Sequence, residues 1–369
     1  MLTVIVSILV FGFLIFIHEF GHYITARIFH VTIEEFSIGM GPRLFSWQSK
    51  KTNIKYSIAL FPIGGFVAMP GENGEYNEAE DKTTAETDGE NADPYRDDPN
   101  TFGKKPVWQR FIITAAGATV NIVAGFLAMI VLTCMINTGN TRVGAFLTPE
   151  QLKLDGQEAI SFNTGLCQGD VILEVEGKKV RIYDELSYEI MRKGNEPVDL
   201  LVLRDGKEVF LPDVVFPTET VDGQTIGIVD FAPNRMEKSF GKVMSYSWRK
   251  STLIVRMVWE SLYDLITGRF SLGAVSGPVG ISTAIGNAAK DGIESLLYIT
   301  VLISINLGVM NLLPIPALDG GRLFTQLIEM VTRKKLPAKV EGLINGIGLM
   351  LLLGLSVVIL IKDTLQLIF

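Results

Sequence analysis

The sequence predicts a polytopic α-helical membrane protein with about four transmembrane helices, a β-prone segment at membrane depth and an inserted α+β domain. Three observations predict it. Long charge-free apolar runs recur along the chain. A short β-prone stretch after the first run is too apolar for a free loop. Some ninety residues between the second and third runs return to the composition of a soluble module.

A membrane-spanning helix needs about 20 predominantly apolar residues. Residues 111–136, 295–317 and 342–361 carry no charge and clear that length. Residues 4–17 are also uncharged, but they span the bilayer only if the helix continues through His18, Glu19 and His22. The stretch Lys55–Pro70 is broken by Pro62, Gly64 and Gly65 and reads as a hairpin. Extended backbone at membrane depth is tolerated only where protein or a water-filled cavity covers it. A re-entrant β element lining a cavity is therefore expected; the alternative is a cytoplasmic hairpin packed on the helix ends.

The net charge of −7 comes from one loop. Between Glu72 and Asp98 stand eleven acidic and two basic residues, and without them the chain is +2. Glu72–Asn100 reads as a solvated, disordered linker. Nucleic acid is not an expected partner. Cys134 and Cys167 match no metal-ligand spacing and make no disulfide framework. The N-terminus has no Lys or Arg before its apolar run and no small-x-small site after it, so it does not read as a cleaved signal peptide. Basic residues cluster at Arg27–Lys55, at Lys104–Arg110 and at Arg322–Lys335. The positive-inside rule puts these three loops in the cytoplasm, with both termini and residues 138–293 outside.

The expected organisation is a first transmembrane helix over 1–30, a membrane-associated β region over 31–71 and the acidic cytoplasmic loop over 72–105. A second transmembrane helix over 106–138 leads into an extracytoplasmic domain over 139–232. Surface helices and a linker occupy 233–293, with Ser245–Thr267 along the membrane surface and Ser276–Ile281 breaking it. The third transmembrane helix and a cytoplasmic segment fill 294–341, and the fourth helix 342–369. In the module, Asp170–Val175, Asp199–Leu203, Glu208–Leu211 and Thr225–Val229 read as strands and Asp184–Lys193 as a helix.

His18-Glu19-Phe20-Gly21-His22 is the strongest chemical signal. Residues four apart on a helix lie about 40° apart, so both imidazoles point the same way, as two ligands of one Zn2+ must. Glu19 projects beside them, where a carboxylate takes a proton from an activated water. Ionisable side chains on a membrane helix are costly unless paired or coordinated, and a metal offsets that cost. A catalytic zinc uses three protein ligands. His30 reads as interfacial, so the third ligand is sought in Asn311–Gly320 (NLLPIPALDG), where two prolines break the helix before Asp319. The competing role for Asp319 is a helix N-cap. On the second span, Gly117 and Asn121 read as a close-packing face.

The pairing of HEFGH in the first span with NLLPIPALDG in the third resembles the site-2 protease family of intramembrane zinc metalloproteases, its bacterial RseP/RasP type. FPIGGFVAMPGE at 61–72 is similar to that family's membrane re-entrant β-loop. FGKKPVWQRFIITAAGATVNIVAG at 102–125 is similar to its second span, and SGPVGI at 276–281 to the segment before its third. Gly165–Val180 resembles the central signature of PDZ domains, so the inserted α+β module is expected to be PDZ-like. Proteobacterial members carry two such domains in tandem; this chain has room for one.

The resemblance implies that His18, His22 and Asp319 bind zinc and that Glu19 activates water. It implies that Asn311, ahead of Asn306, holds substrate backbone, with Gly64 and Gly65 in the β-loop also positioning substrate. It implies cleavage of single-pass membrane proteins already cut by another protease, such as anti-sigma factors or remnant signal peptides. The setting would be the bacterial inner membrane, with the site near the cytoplasmic side and the PDZ-like domain outside. The substrate is expected to lie extended as an added strand on the hairpin around Ile58–Val67. An inactive membrane-tethered PDZ scaffold is the alternative, and an ion-conducting channel is a poorer one.

Overall fold

A computed structural model describes residues 2–72, 95, 97–152, 154, 158–221, 224–269 and 276–368. Most of the acidic loop, residues 73–94, lies outside the described residues. The chain divides into two compact units, one made of residues 1–127 and 275–369 and the other of residues 128–274.

Helix α1 (Leu2–Ile28) opens the first unit, followed by β1 (Glu35–Gln48) and β2 (Lys55–Ala68). Helix α2 (Val107–Met135) begins in this unit and ends in the other. Four helices are long and apolar enough to cross a membrane: α1, α2 and two further ones covering Ile293–Leu312 and Lys339–Leu365. Chains of this composition form helices in lipid because only an internally bonded backbone leaves no N–H or C=O facing hydrocarbon. His18, Glu19 and His22 lie inside α1, as the sequence required.

The two strands of the first unit each fold on themselves. Glu35–Ile38 pairs in parallel with Lys55–Ile58 and antiparallel with Gly65–Ala68, while Arg43–Gln48 pairs antiparallel with Lys55–Ala59. The spatial order is therefore 43–48, 55–59, 35–38, 65–68. Gly39 and Gly41 take positive φ where β1 bends between its two halves. One face of the sheet packs Phe36, Ile54, Val67 and Met69 against Ala26 and Tyr23 of α1. Other apolar side chains, among them Leu44, Phe45, Trp47, Leu60 and Phe61, are exposed. Lys55–Pro70 is therefore not the hairpin its sequence suggests: its two halves do not pair with each other but flank Glu35–Ile38, because the first half of β1 inserts between them.

The second unit carries β3 (Gly139–Phe146), β4 (Val171–Val175), β5 (Lys178–Lys179), helix α3 (Tyr183–Lys193), β6 (Val198–Arg204) and β7 (Lys207–Val214). Then come β8 (Thr218–Val221), β9 (Gln224–Gly227), β10 (Phe231–Arg235) and helix α4 (Phe240–Ile266). The main sheet has the order β10-β3-β4-β6-β7, with β5 on β4, and encloses a core of Ile172, Leu186, Leu200, Val202 and Phe231. The four strands and the helix read from the sequence are present; β3, β5, β8 and β10 were not legible, being short or rich in Gly, Asn and Pro. Asp170 is buried and holds Arg204 Nε at 2.8 Å and the Cys167 N–H at 2.9 Å. Arg192 bonds Asp264 at 2.7 Å and Arg256 reaches Glu189 at 2.6 Å, which ties α4 to α3. The two cysteines are exposed and unbridged.

Back in the first unit, α5 (Pro278–Asp291) starts with proline in its first turn, and α6 (Ile293–Leu312), α7 (Asp319–Thr332) and α8 (Ala338–Ile368) complete the chain. Pro278 has a fixed φ suited to a first turn and needs no partner for a missing N–H. The expected break at Ser276–Ile281 is the start of this helix.

Candidate metal centre

Helix α6 stops at Leu312, and residues 313–318 form an irregular link before α7. Pro314 and Pro316 enforce the break. Leu318, not Asp319, is the N-cap residue of α7, and no side chain caps this end. The capping alternative for Asp319 falls away, because its carboxylate turns toward α1 instead.

There it meets both histidines. Asp319 Oδ2 lies 3.1 Å from His18 Nε2 and 3.3 Å from His22 Nε2, and the two Nε2 atoms are 3.3 Å apart. Among the described residues this is a group able to offer three ligand atoms to one ion. The triangle fits zinc. A tetrahedral ion with bonds of about 2.0–2.1 Å sets its ligand atoms about 3.3–3.4 Å apart.

The protons point to the same conclusion. His22 Nδ1 is 2.9 Å from the carbonyl oxygen of Ile113, so it carries the hydrogen and donates, and neutral His22 presents a bare lone pair at Nε2. Asp319 Oδ2 is buried and receives no hydrogen bond. Lone pairs converging in a buried place repel one another unless a cation stands among them.

His18 is held by a residue that the sequence reading assigned to packing. Asn121 is fully buried, and its side-chain amide lies 3.4 Å from His18 Nδ1 while its own Oδ1 has no partner. Turning the amide by 180° puts Oδ1 against His18 Nδ1–H, pairs the orphan oxygen and leaves His18 Nε2 bare. Ser304 Oγ donates to the Asn121 carbonyl at 2.8 Å, linking α6 to the same point. The signal available in the sequence was a polar amide within a charge-free span.

A cavity of about 440 Å³ opens on His18, His22 and Asp319 and is also lined by Glu19, Gly65–Met69, Glu72, Thr114, Arg322 and Asn345. Two close approaches shape it. A Cβ on Gly117 would collide with His22 Nε2. A Cβ on Gly65 would stand 2.7 Å from Glu19 Cγ and 2.9 Å from the Ser37 carbonyl. Glycine at 65 thus lets the outermost strand segment lie directly on Glu19. Gly64 takes positive φ and is not among the lining residues. Asn306 is exposed and Asn311 half-buried on α6; neither lines the cavity. Asn345 bonds the Ala317 N–H at 3.3 Å, and Arg322 pairs with Glu72; the sequence reading singled out none of these roles.

Residues 6–355 match the family model of peptidase family M50. The chain belongs to peptidase family M50. Relatives of this M50 peptidase are similar over their whole length. The regulator of sigma-W protease RasP of Bacillus subtilis is 30% identical over 428 aligned positions, covering 98% of both chains. The zinc metalloprotease RasP of Geobacillus kaustophilus is 31% identical over 98% of this chain and 97% of its own. The zinc metalloprotease RasP of Bacillus licheniformis is 30% identical over 98% of both. Zinc is accordingly the expected cofactor of this M50 peptidase, and its apolar helices embed it in a membrane.

Proposed function

We propose that this chain is an intramembrane zinc metalloprotease of the site-2 type, hydrolysing peptide bonds in the membrane segments of single-pass proteins. The observation that carries the reading is the 3.1–3.3 Å triangle of His18, His22 and Asp319 beside Glu19, built from helices composed to lie in lipid.

His18, His22 and Asp319 would hold the ion, which when bound polarises a scissile carbonyl and makes water a better nucleophile. Glu19 takes the proton from the attacking water and passes it to the leaving amine. The Ile113 carbonyl and Asn121 fix the two imidazoles so that both Nε2 atoms face Asp319. Gly65–Ala68 is one of the two edges of the four-segment sheet and the one that borders the cavity next to Glu19. An unwound substrate adds there as a further strand, its carbonyl presented to the ligands. Of the expected stretch Ile58–Val67, the Ile58 end is closed to addition, since Ile58 stands in the sheet interior between Ile38 and Phe45. Asn311 is assigned to holding substrate backbone beyond that strand.

The exposed Leu44, Phe45, Trp47, Leu60 and Phe61 support placing the sheet within the bilayer, where an apolar patch of that size needs no protein partner. The inserted module is read as PDZ-like from its Asp170-led strand, its α3 and its antiparallel sheet. We assign it to the outer side of a bacterial inner membrane, opposite the basic loops, as a filter for substrates already shortened by another protease.

Glu19→Gln is the test. The variant should keep one zinc per chain and lose turnover of a membrane substrate by at least about a hundredfold. Undiminished turnover in Glu19→Gln, or full zinc content in Asp319→Ala, overturns the reading.

A further inference from the structure

The second unit contains a cavity of about 470 Å³ that the proteolytic reading does not use. Five cationic side chains line it, Arg142, Arg181, Arg235, Lys242 and Arg249, against one anionic side chain, Glu237. Lys242 pairs with Glu237 at 3.5 Å and Arg249 with Glu185 at 3.3 Å. Arg142, Arg181 and Arg235 have no ion pair or hydrogen bond from their guanidinium groups among the described residues. Three like charges around one cavity repel each other, and an anion between them removes that cost. Guanidinium forks match the oxygens of a phosphate in pairs, better than any other cationic side chain. Asn140, Asn234 and Ser245 add neutral polar groups to the same lining.

The position of the cavity selects the source of the anion. Helix α2 ends at Met135, and the lining begins five residues later at Asn140. The far wall is tied to the helix end: Met236 N–H donates to the Thr138 carbonyl at 2.8 Å and Lys238 Nζ to the Cys134 carbonyl at 2.7 Å. The headgroup zone occupies about 5–7 Å beyond each face of the hydrocarbon core, so a cavity adjoining the end of a spanning helix is within reach of lipid headgroups. Helix α4, which supplies Lys242, Ser245 and Arg249, exposes Trp248, Trp259, Tyr263 and Ile266 within about 60° of its circumference. Aromatic side chains in such a stripe sit at the membrane interface.

We propose that this cavity binds the phosphodiester headgroup of an anionic phospholipid from the leaflet in which α2 ends. The three unpaired arginines clasp the phosphate, and the α4 stripe lies among the acyl chains beside it. A lipid held there fixes the inserted module against the membrane surface.

Native mass spectrometry of the full-length protein in neutral detergent, with circular dichroism to confirm folding, tests this. Phosphatidylglycerol and phosphatidylcholine are offered in equal amounts to the wild type, to the triple variant Arg142→Gln/Arg181→Gln/Arg235→Gln, and to a control variant Lys179→Gln/Lys207→Gln. The wild type and the control should retain phosphatidylglycerol preferentially, and the triple variant should lose about a hundredfold in that preference. If the triple variant does not fold, Arg235→Gln alone should lose about fivefold. Equal retention by wild type and variant overturns the site. Displacement of the lipid by an equal concentration of inorganic phosphate overturns the lipid assignment in favour of a soluble anion. Displacement by an acidic peptide, with no preference between the lipids, overturns it in favour of a peptide site.

Discussion

His18 is held at both ends of its ring, and the two ends were not equally visible in the sequence. Its Nε2 belongs to a motif whose geometry is local: two histidines four residues apart share a helix face whatever the rest of the chain does. Its Nδ1 faces Asn121, 103 residues away, and no pattern within one helix announces that contact. Asn121→Ala should therefore weaken zinc binding about 10- to 100-fold, measured by competition with a chromophoric chelator. Asn121→Asp, which keeps an acceptor for the Nδ1 proton, should restore most of the affinity. Equal loss in both variants would reduce Asn121 to a packing residue. Asp319 was legible as a candidate for a different reason: a two-histidine motif calls for a third ligand, and a carboxylate after a proline-broken span is a fitting donor. Removing the capping alternative required the position of α7, whose N-cap is Leu318.

Among the elements, the sheet of the first unit differs most from what its sequence suggested. Lys55–Pro70 was recognisable as β-prone and broken by glycine and proline, yet nothing local shows that Glu35–Gln48 bends and inserts its first half between two parts of β2. Register follows from which apolar faces must be buried, and that depends on α1. The consequence is a free edge at Gly65–Ala68. Of Phe66 and Val67, one directs its N–H to the neighbouring strand and the other outward. Proline at the outward position removes only the bond offered to a substrate. That variant should retain zinc and lose at least about tenfold in cleavage of a membrane substrate; unaltered cleavage would refute strand addition. Where β1 starts, Glu35 accepts hydrogen bonds from Ser57 Oγ at 2.6 Å and from Arg43 Nε at 2.9 Å. These bonds tie the start of β1 to β2 and to its own bend, so Glu35→Ala should melt lower than the wild type, measured by thermal unfolding in detergent.

For the whole molecule, the inserted module can be removed without leaving a gap. Phe146 of β3 and Phe231 of β10 are direct neighbours in an antiparallel pair, so residues 147–230 can be replaced by a short Asn-Gly turn. The shortened protein should keep zinc and cleave substrates that still carry their full outer portions; an unchanged requirement for a prior cut would refute the filter. The sequence by itself determined the four spans, the shared helix face of His18 and His22 with Glu19 beside them, and the existence of an inserted module. Each of these is a property of composition or of spacing within one element, fixed by helix period and by the insolubility of charge in lipid. Only the tertiary structure decided that Asn121 orients His18, that Gly65–Ala68 is the edge beside Glu19, and that three arginines from separate elements share one cavity. These depend on distances between parts of the chain that are remote in sequence, and such distances are set by packing rather than by any local pattern.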